Sequence, residues 1–182
     1  MAHQSLPLRT LEALRVVLEP QQAAHADEMF GVLSDPAIYE FENQPPASAD
    51  ALRERFRKLE SACSPDGSQL WLNWIVRLRD TGAAIGYVQA TVLEDARALI
   101  AYEFGSAWWG RGLAHEATTV GIHELRTRYG VTVVGAVFKR TNHRSRRLLE
   151  RLGMHVPGAG EFPAGLAESD EDAMVLVLPV SP

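Results

Sequence analysis

The sequence predicts an α+β fold, an α/β three-layer arrangement in which a mixed, mostly antiparallel central sheet of about six to seven strands carries about four helices. Three observations predict it. Residues 70–105 read as three β-prone runs separated by short turns, an antiparallel meander. A helical pattern over Leu113–Tyr129 separates the third run from a valine-rich strand at 131–139, so those two strands form a parallel pair joined by a right-handed crossover. The 182 residues contain no repeat, low-complexity tract or dividing linker, so one domain is expected over 1–182, with its core at about 14–178.

The elements follow in order. Residues 1–12 read as a leading segment. Leu14–Glu19 alternates as a strand, with Leu14, Val16 and Leu18 on one side, and Pro20 ends it. Residues 22–34 place Ala26, Met29, Phe30 and Leu33 on one helical face. Ser34-Asp35-Pro36 stops that helix, because Pro36 disfavours a helical Asp35. The stretch 37–46 is irregular. Ser48 is an N-cap, and the helix after it carries Leu52, Phe56, Leu59 and Cys63 in one stripe. After the turn Ser64-Pro65-Asp66-Gly67 come strands at 70–79, 84–94 and 98–105. Beyond the crossover, residues 143–152 form a short helix with Leu148, Leu149 and Leu152 inward, and Gly153 ends it. A Gly/Pro loop at 157–165 and an acidic patch at 168–172 precede a last strand at 174–178.

Composition excludes several function classes. The chain is 46% hydrophobic and 23% charged, an ordinary soluble balance. A net charge of −5 argues against a nucleic-acid partner. No apolar run approaches the ~20 residues that span a membrane, and the N-terminus lacks a signal-peptide pattern, so no membrane partner is expected and cytoplasm is the default. The lone Cys63 leaves no internal disulfide and reads as a small core residue. His115-Glu116 and His123-Glu124 each begin like a zinc motif but lack the second histidine four residues on, so no metal is expected.

The chemistry-bearing stretch is Tyr102–Ala117, which reads as strand, glycine turn and helix start. The first amides of a helix lack internal partners and sit at the positive end of its dipole. Gly110 and Gly112 tolerate positive φ and let backbone approach an anion, and Arg111 adds charge. The third glycine of the dinucleotide fingerprint is missing, as is the Lys-Ser/Thr of a P-loop.

Trp109-Gly110-Arg111-Gly112-Leu113-Ala114 resembles the phosphate loop of the GNAT acetyltransferase superfamily, although Trp109 stands where that family has Arg or Gln. The Trp-Gly-x-Gly-x-Ala-x-Glu-Ala form is similar to the branch containing RimJ and RimL. Asn142-x-x-Ser145, followed by Leu148-Leu149-x-x-Leu152-Gly153-Met154, resembles the family's fourth-helix block, and Leu33-Ser34-Asp35-Pro36 resembles that branch's first helix end. The resemblance runs from about Leu14 to Leu178.

It implies a GNAT-like sheet with a splayed parallel pair and acetyl-CoA as cosubstrate in the splay. The backbone of Tyr102, Glu103 and Phe104 would bond the pantetheine arm, and the amides of Trp109, Gly110, Arg111, Gly112, Leu113 and Ala114 the pyrophosphate. Asn142 would reach a pantetheine amide; it also reads as a helix N-cap, and the two roles can coexist. Of the basic cluster Lys139, Arg140, Arg144, Arg146, Arg147 and Arg151, either Arg144 or Arg147 suits the 3′-phosphate, and the rest read as a solvated face.

The implied reaction is direct attack of a primary amine on the thioester, the acceptor being a protein N-terminal α-amine or a small amine, with the carbonyl polarised by an amide near Phe104. Where the family often has a glutamate this chain has Leu99. Glu103 is the nearest substitute as general base and faces either the acceptor cleft or solvent. Ser145 resembles that branch's general acid, and reads equally as a first-turn hydroxyl. Trp71, Trp74, Trp108 and Trp109 read mainly as core, with Trp71 or Trp74 also a candidate to line the acceptor pocket. Asn73 is a further pocket candidate, and Glu40, Glu42 and 168–172 either steer a cation or are ordinary surface. The alternatives are a catalytically inactive CoA-binding regulatory domain, motivated by Leu99, and a nucleic-acid or ribosome adaptor using the basic cluster. The chain is expected as monomer or homodimer.

Overall fold

The meander forms as β3 (Leu70–Leu78), β4 (Ala84–Val92) and β5 (Arg97–Phe104). This computed structural model describes residues 6–41, 43–161 and 165–179. The sheet is completed by β1 (Leu11–Glu12) and β2 (Val16–Pro20) on one side, and β6 (Val133–Lys139) and β7 (Glu171–Val177) on the other. Its strands run in sequence order, antiparallel everywhere except between β5 and β6. The helices are α1 (Ala26–Leu33), α2 (Ala49–Leu59), α3 (Leu113–Tyr129) and α4 (His143–Arg151).

Alternation along β3 shows how the layers are built. Leu72, Trp74 and Val76 face one cluster with Leu113, Ala117 and Leu125 of α3. Ile75 faces the other, with Met29 and Leu33 of α1 and Leu52 and Phe56 of α2. A strand covered on both faces reads as a near-continuous apolar run, and β3 is one. Ser48 caps α2 by accepting the Ala51 N–H at 3.0 Å, as the sequence predicts. Gly130 ends α3 in the left-handed region at φ 66°.

Several expectations are corrected. Leu14 is 86% exposed, because residues 13–15 make the turn of a hairpin and Leu11 fills the inward place opposite Leu18. The leading segment therefore contributes a strand. Cys63 lies beyond the end of α2, bridges Leu70, and packs on the α3 side of the sheet rather than with Leu52 and Phe56. The last strand begins at Glu171 rather than Met174, since the acidic patch is drawn into pairing with β6. Glu42, part of the 157–165 loop, and the chain ends lie outside the described residues.

Candidate active site

The site begins where a ladder fails. β5 and β6 pair only through Arg97, Ala98 and Leu99 with Val133, Val134 and Gly135, yet both strands continue. Past Leu99 they splay. Antiparallel pairing to β4 alternates in twos, and Leu93 N–H to Arg97 O and Gly105 N–H to Ile85 O set its phase. The same phase commits the backbone of Glu103 to Tyr87 and turns that of Ile100, Tyr102 and Phe104 toward the gap. This corrects one expectation: Glu103 offers the gap a side chain, not a backbone. Phe104 O is already taken by the Trp109 indole N–H at 2.7 Å.

A cavity of about 880 Å³ fills the gap, in the range of ligand sites. Its walls include both Tyr102 and Phe104, on one face of β5, and Ala101 and Glu103, on the other. The opening therefore joins the two faces of the sheet.

On the α3/α4 side, the chain turns through Gly110 (φ 72°) and Gly112 (φ 77°) into α3. The left-handed φ at Gly112 is the reason for a glycine there. The first intrahelical bond runs from Glu116 N–H to Gly112 O, so the preceding amides point out of the helix. Arg15 braces the turn from behind, donating to Arg111 O at 3.0 Å and to the Glu116 carboxylate. Arg111 itself lies over Trp108, 5.0 Å from the ring centroid, and neither it nor buried Leu113 lines the cavity.

α4 approaches from β6. Asn142 Oδ1 accepts the Ser145 N–H at 3.0 Å, so the N-cap role of Asn142 is present. Ser145 Oγ lies 2.8 Å from the Tyr102 hydroxyl. Arg147, Arg151 and His115 line the same wall. The remaining basic cluster is engaged: Lys139 with Asp170 and Glu171, Arg140 and Arg146 with Asp172. The 168–172 patch is their counter-charge. Arg144 pairs with Glu40 at 2.7 Å and stacks on Trp109 at 4.2 Å and Phe41 at 5.2 Å, joining α4 to the segment after α1.

On the α1/α2 side, Ile38, Tyr39, Phe41, Asn43 and Gln44 meet Arg55, Tyr87 and Gln89 around Glu103. The Tyr39 hydroxyl donates to Leu33 O at 2.9 Å and lies 3.5 Å from Glu103 Oε2. Burial first, then the Glu103 carboxylate, pushes the Tyr39 and Tyr87 phenols well above their ordinary pKa. Asp35 accepts the Ala37 and Ser106 N–H groups, tying this segment to the end of β5.

Trp74, Trp71 and Asn73 do not line the cavity. Trp74 is fully buried and donates to Arg9 O, and Asn73 donates to Trp71 O. Trp108 and Trp109 line it instead. Sequence reasoning missed Arg15, Tyr39, Arg55 and Tyr87, which come from four separate segments with no local motif.

An acetyltransferase (GNAT) domain model matches residues 15–155. An uncharacterized N-acetyltransferase of Bacillus subtilis, YoaA, is 24% identical over 153 residues, covering 81% of this chain and 84% of that one. A GNAT-family acetyltransferase from Bacillus anthracis superposes with a TM-score of 0.75 at 17% identity, over 92% of this chain and 98% of that one. RimL, a ribosomal L7/L12 α-N-protein acetyltransferase solved with coenzyme A, superposes with a TM-score of 0.76 at 12% identity, over 93% and 98%. The open β5–β6 gap beside a glycine-rich helix start falls within the matched residues, and the chain is an N-acetyltransferase of the GNAT family.

Proposed function

We propose that this protein transfers an acetyl group from acetyl-CoA to a primary amine, with a protein N-terminal α-amine as the leading acceptor class and small amines as the other. The observation that carries the reading is the early end of β5–β6 pairing, which leaves a cavity lined by strand backbone and running from one sheet face to the other. The coenzyme belongs on the α3/α4 side. The backbone of Tyr102 and Phe104 faces the gap, and the amides from Gly110 to Ala114 form an anion cradle without side chains at Gly110 and Gly112. The Trp109 N–H expected to join them is instead spent on Ser106 O at 3.1 Å. Asn142 and Arg147 line the wall. Arg111 and Leu113 contribute through their amides. These groups fit a diphosphate with an amide-bearing arm. Once bound, it supplies an activated acetyl thioester.

The chain's own residues do the rest. Glu103, on the opposite face, holds the acceptor ammonium and takes its proton. An α-amine has an ordinary pKa of about 7.7–8 and a lysine about 10.4, so an α-amine asks less of that base. Ser145 supplies a proton donor at the first turn of α4, where the helix dipole favours developing negative charge. Likeness to RimL, whose described acceptor is an α-amine, supports the acceptor class alongside the sequence motifs of that branch.

Titration calorimetry with coenzyme A and acetyl-CoA tests the first half of the proposal. Free thiol released from acetyl-CoA across a panel of peptides with open α-amines, lysine side chains and polyamines tests the second. Heat with both ligands and fastest turnover on the peptides is expected. Absence of heat sinks the proposal, and turnover confined to polyamines overturns the acceptor class.

A further inference from the structure

Tyr102 and Ser145 meet across the splay although 43 residues separate them. One hydroxyl comes from β5, the other from the first turn of α4, and both side chains line the cavity. Neither position is loosely held. Tyr102 packs against the main core cluster. Ser145 is fixed through its backbone N–H by Asn142 Oδ1.

Each hydroxyl has one proton to donate and lone pairs with which to accept. A phenol is a stronger acid than an alkanol, so in a 2.8 Å contact the tyrosine is the better donor. Burial pushes the Tyr102 phenol up to about 12, so it stays protonated and neutral throughout the working range. With its oxygen receiving the tyrosine proton, Ser145 has no reason to turn its own proton toward Tyr102, and that proton is left for the cavity.

We infer that Tyr102 is a positioning residue, whose hydroxyl donates to Ser145 Oγ and thereby aims the Ser145 proton at the sulfur that leaves as thiolate. The inference rests on the coenzyme reading above. No net proton leaves Tyr102: it orients, and Ser145 donates the hydrogen bond. On this account the pair favours the thiolate form of bound coenzyme A over the thiol. The bound thiol pKa then falls below its ordinary value of about 8.5. A ligand group whose pKa is lowered on binding gives an affinity that rises with pH and levels off above its free pKa. Acetyl-CoA carries no such thiol, so it cancels every other titration in the site.

The experiment is calorimetric binding of both ligands between about pH 6.5 and about pH 9.5, a span that brackets the ordinary thiol pKa. The affinity of coenzyme A relative to acetyl-CoA is expected to rise about tenfold in the wild type, the change given by one pKa unit. Ser145→Ala abolishes the rise, Tyr102→Phe removes most of it, and the double variant loses no more than Ser145→Ala alone. Ser145→Thr, which keeps a hydroxyl, retains it and guards against a folding explanation. A flat ratio in the wild type overturns the inference, as does a Tyr102→Phe variant that keeps the full rise. Losses that add in the double variant overturn it too, because they assign the residues independent roles. Failure to bind either ligand is a different result: it removes the coenzyme reading, and this inference with it.

Discussion

The two sides of the β5–β6 gap are built differently. The α3/α4 side is assembled from short, continuous stretches: the end of β5, the turn through Gly110 and Gly112, and the first turn of α4. It is lined largely by backbone and by two helix starts, the open one of α3 and the Asn142-capped one of α4, so local geometry dictates much of it. The α1/α2 side takes five residues from the segment after α1 and one or two each from α2, β4 and β5. Its working parts are side chains brought together by tertiary packing. A site that grips a constant ligand can rest on backbone, whereas one that selects among acceptors is better served by side chains, which change without disturbing the fold.

If this division is right, the largest effect comes from the α3/α4 side. Gly110→Asp places a carboxylate in the turn before α3, at a cavity-lining residue held at φ 72° whose added Cβ meets nothing within 4 Å. Like charges in contact cost several kcal/mol, so coenzyme A affinity is expected to fall by about a hundredfold or more, read by calorimetry. Gly110→Asn tolerates the same left-handed φ without the charge, and should lose far less. Equal losses in the two variants would mean that shape, not charge, governs this turn.

Next comes Glu103→Gln, which sharpens the comparison because it touches only the acceptor side. Positioned acid–base groups contribute about 10²–10⁴-fold. We expect turnover to fall about tenfold with an α-amine peptide and further with a lysine acceptor, whose amine is about 2.5 pKa units harder to deprotonate. Coenzyme A affinity should stay unchanged. Equal losses with both acceptors would remove Glu103 from proton transfer.

The same division decides what could be read in the sequence. The meander, the crossover and the four α-helices of the described residues were legible, because hydrophobic periodicity and the signals at Ser48 and Gly153 are local. Asn142 and Ser145 were legible for the same reason. The β1–β2 hairpin was not: Leu14 continues the alternation perfectly, and only the turn at residues 13–15 turns it outward. Arg15 was invisible as the brace of the phosphate-loop candidate, since its contact with Arg111 spans 96 residues. Tyr87 stood closer to reach. The turn after Leu93 fixes the β4–β5 register, which puts Tyr87 opposite Glu103. Tyr39 and Arg55 had no such guide, because the packing of α2 against the sheet is decided by the whole core.

Arg144→Ala tests whether the two sides are mechanically joined. Arg144 reaches Trp109 on one side and Glu40 and Phe41 on the other. An exposed ion pair contributes about 0.2–1 kcal/mol and an exposed cation–π contact about 0.5–1 kcal/mol. The variant should therefore raise the acceptor KM by about three- to thirtyfold at most. High salt should shrink the difference by weakening the wild-type pair. A change confined to coenzyme A affinity would place Arg144 wholly on the α3/α4 side.

The smallest effect is the most local. Asp35 holds the segment after α1 against the end of β5 through the Ser106 and Ala37 N–H groups. Its hydrogen bonds with Ser106, and then the Ala37 amide, hold its pKa below the ordinary carboxylate value. A carboxylate depressed on folding contributes stability that is complete above its unfolded pKa, about 3.9, and is lost as pH falls through the lower folded value. Asp35→Asn should therefore lower the urea midpoint slightly at neutral pH, and the gap from wild type should close as pH drops below about 4. Acceptor KM should follow the same course while coenzyme A affinity moves less, because Asp35 reaches the segment bearing Tyr39 and Phe41 directly and touches the other side only at Ser106, ahead of the glycine turn. A coenzyme affinity that moved as far would show that this segment also shapes the opposite side of the gap, and the division between a backbone-built face and a side-chain-built face would fail at its edge.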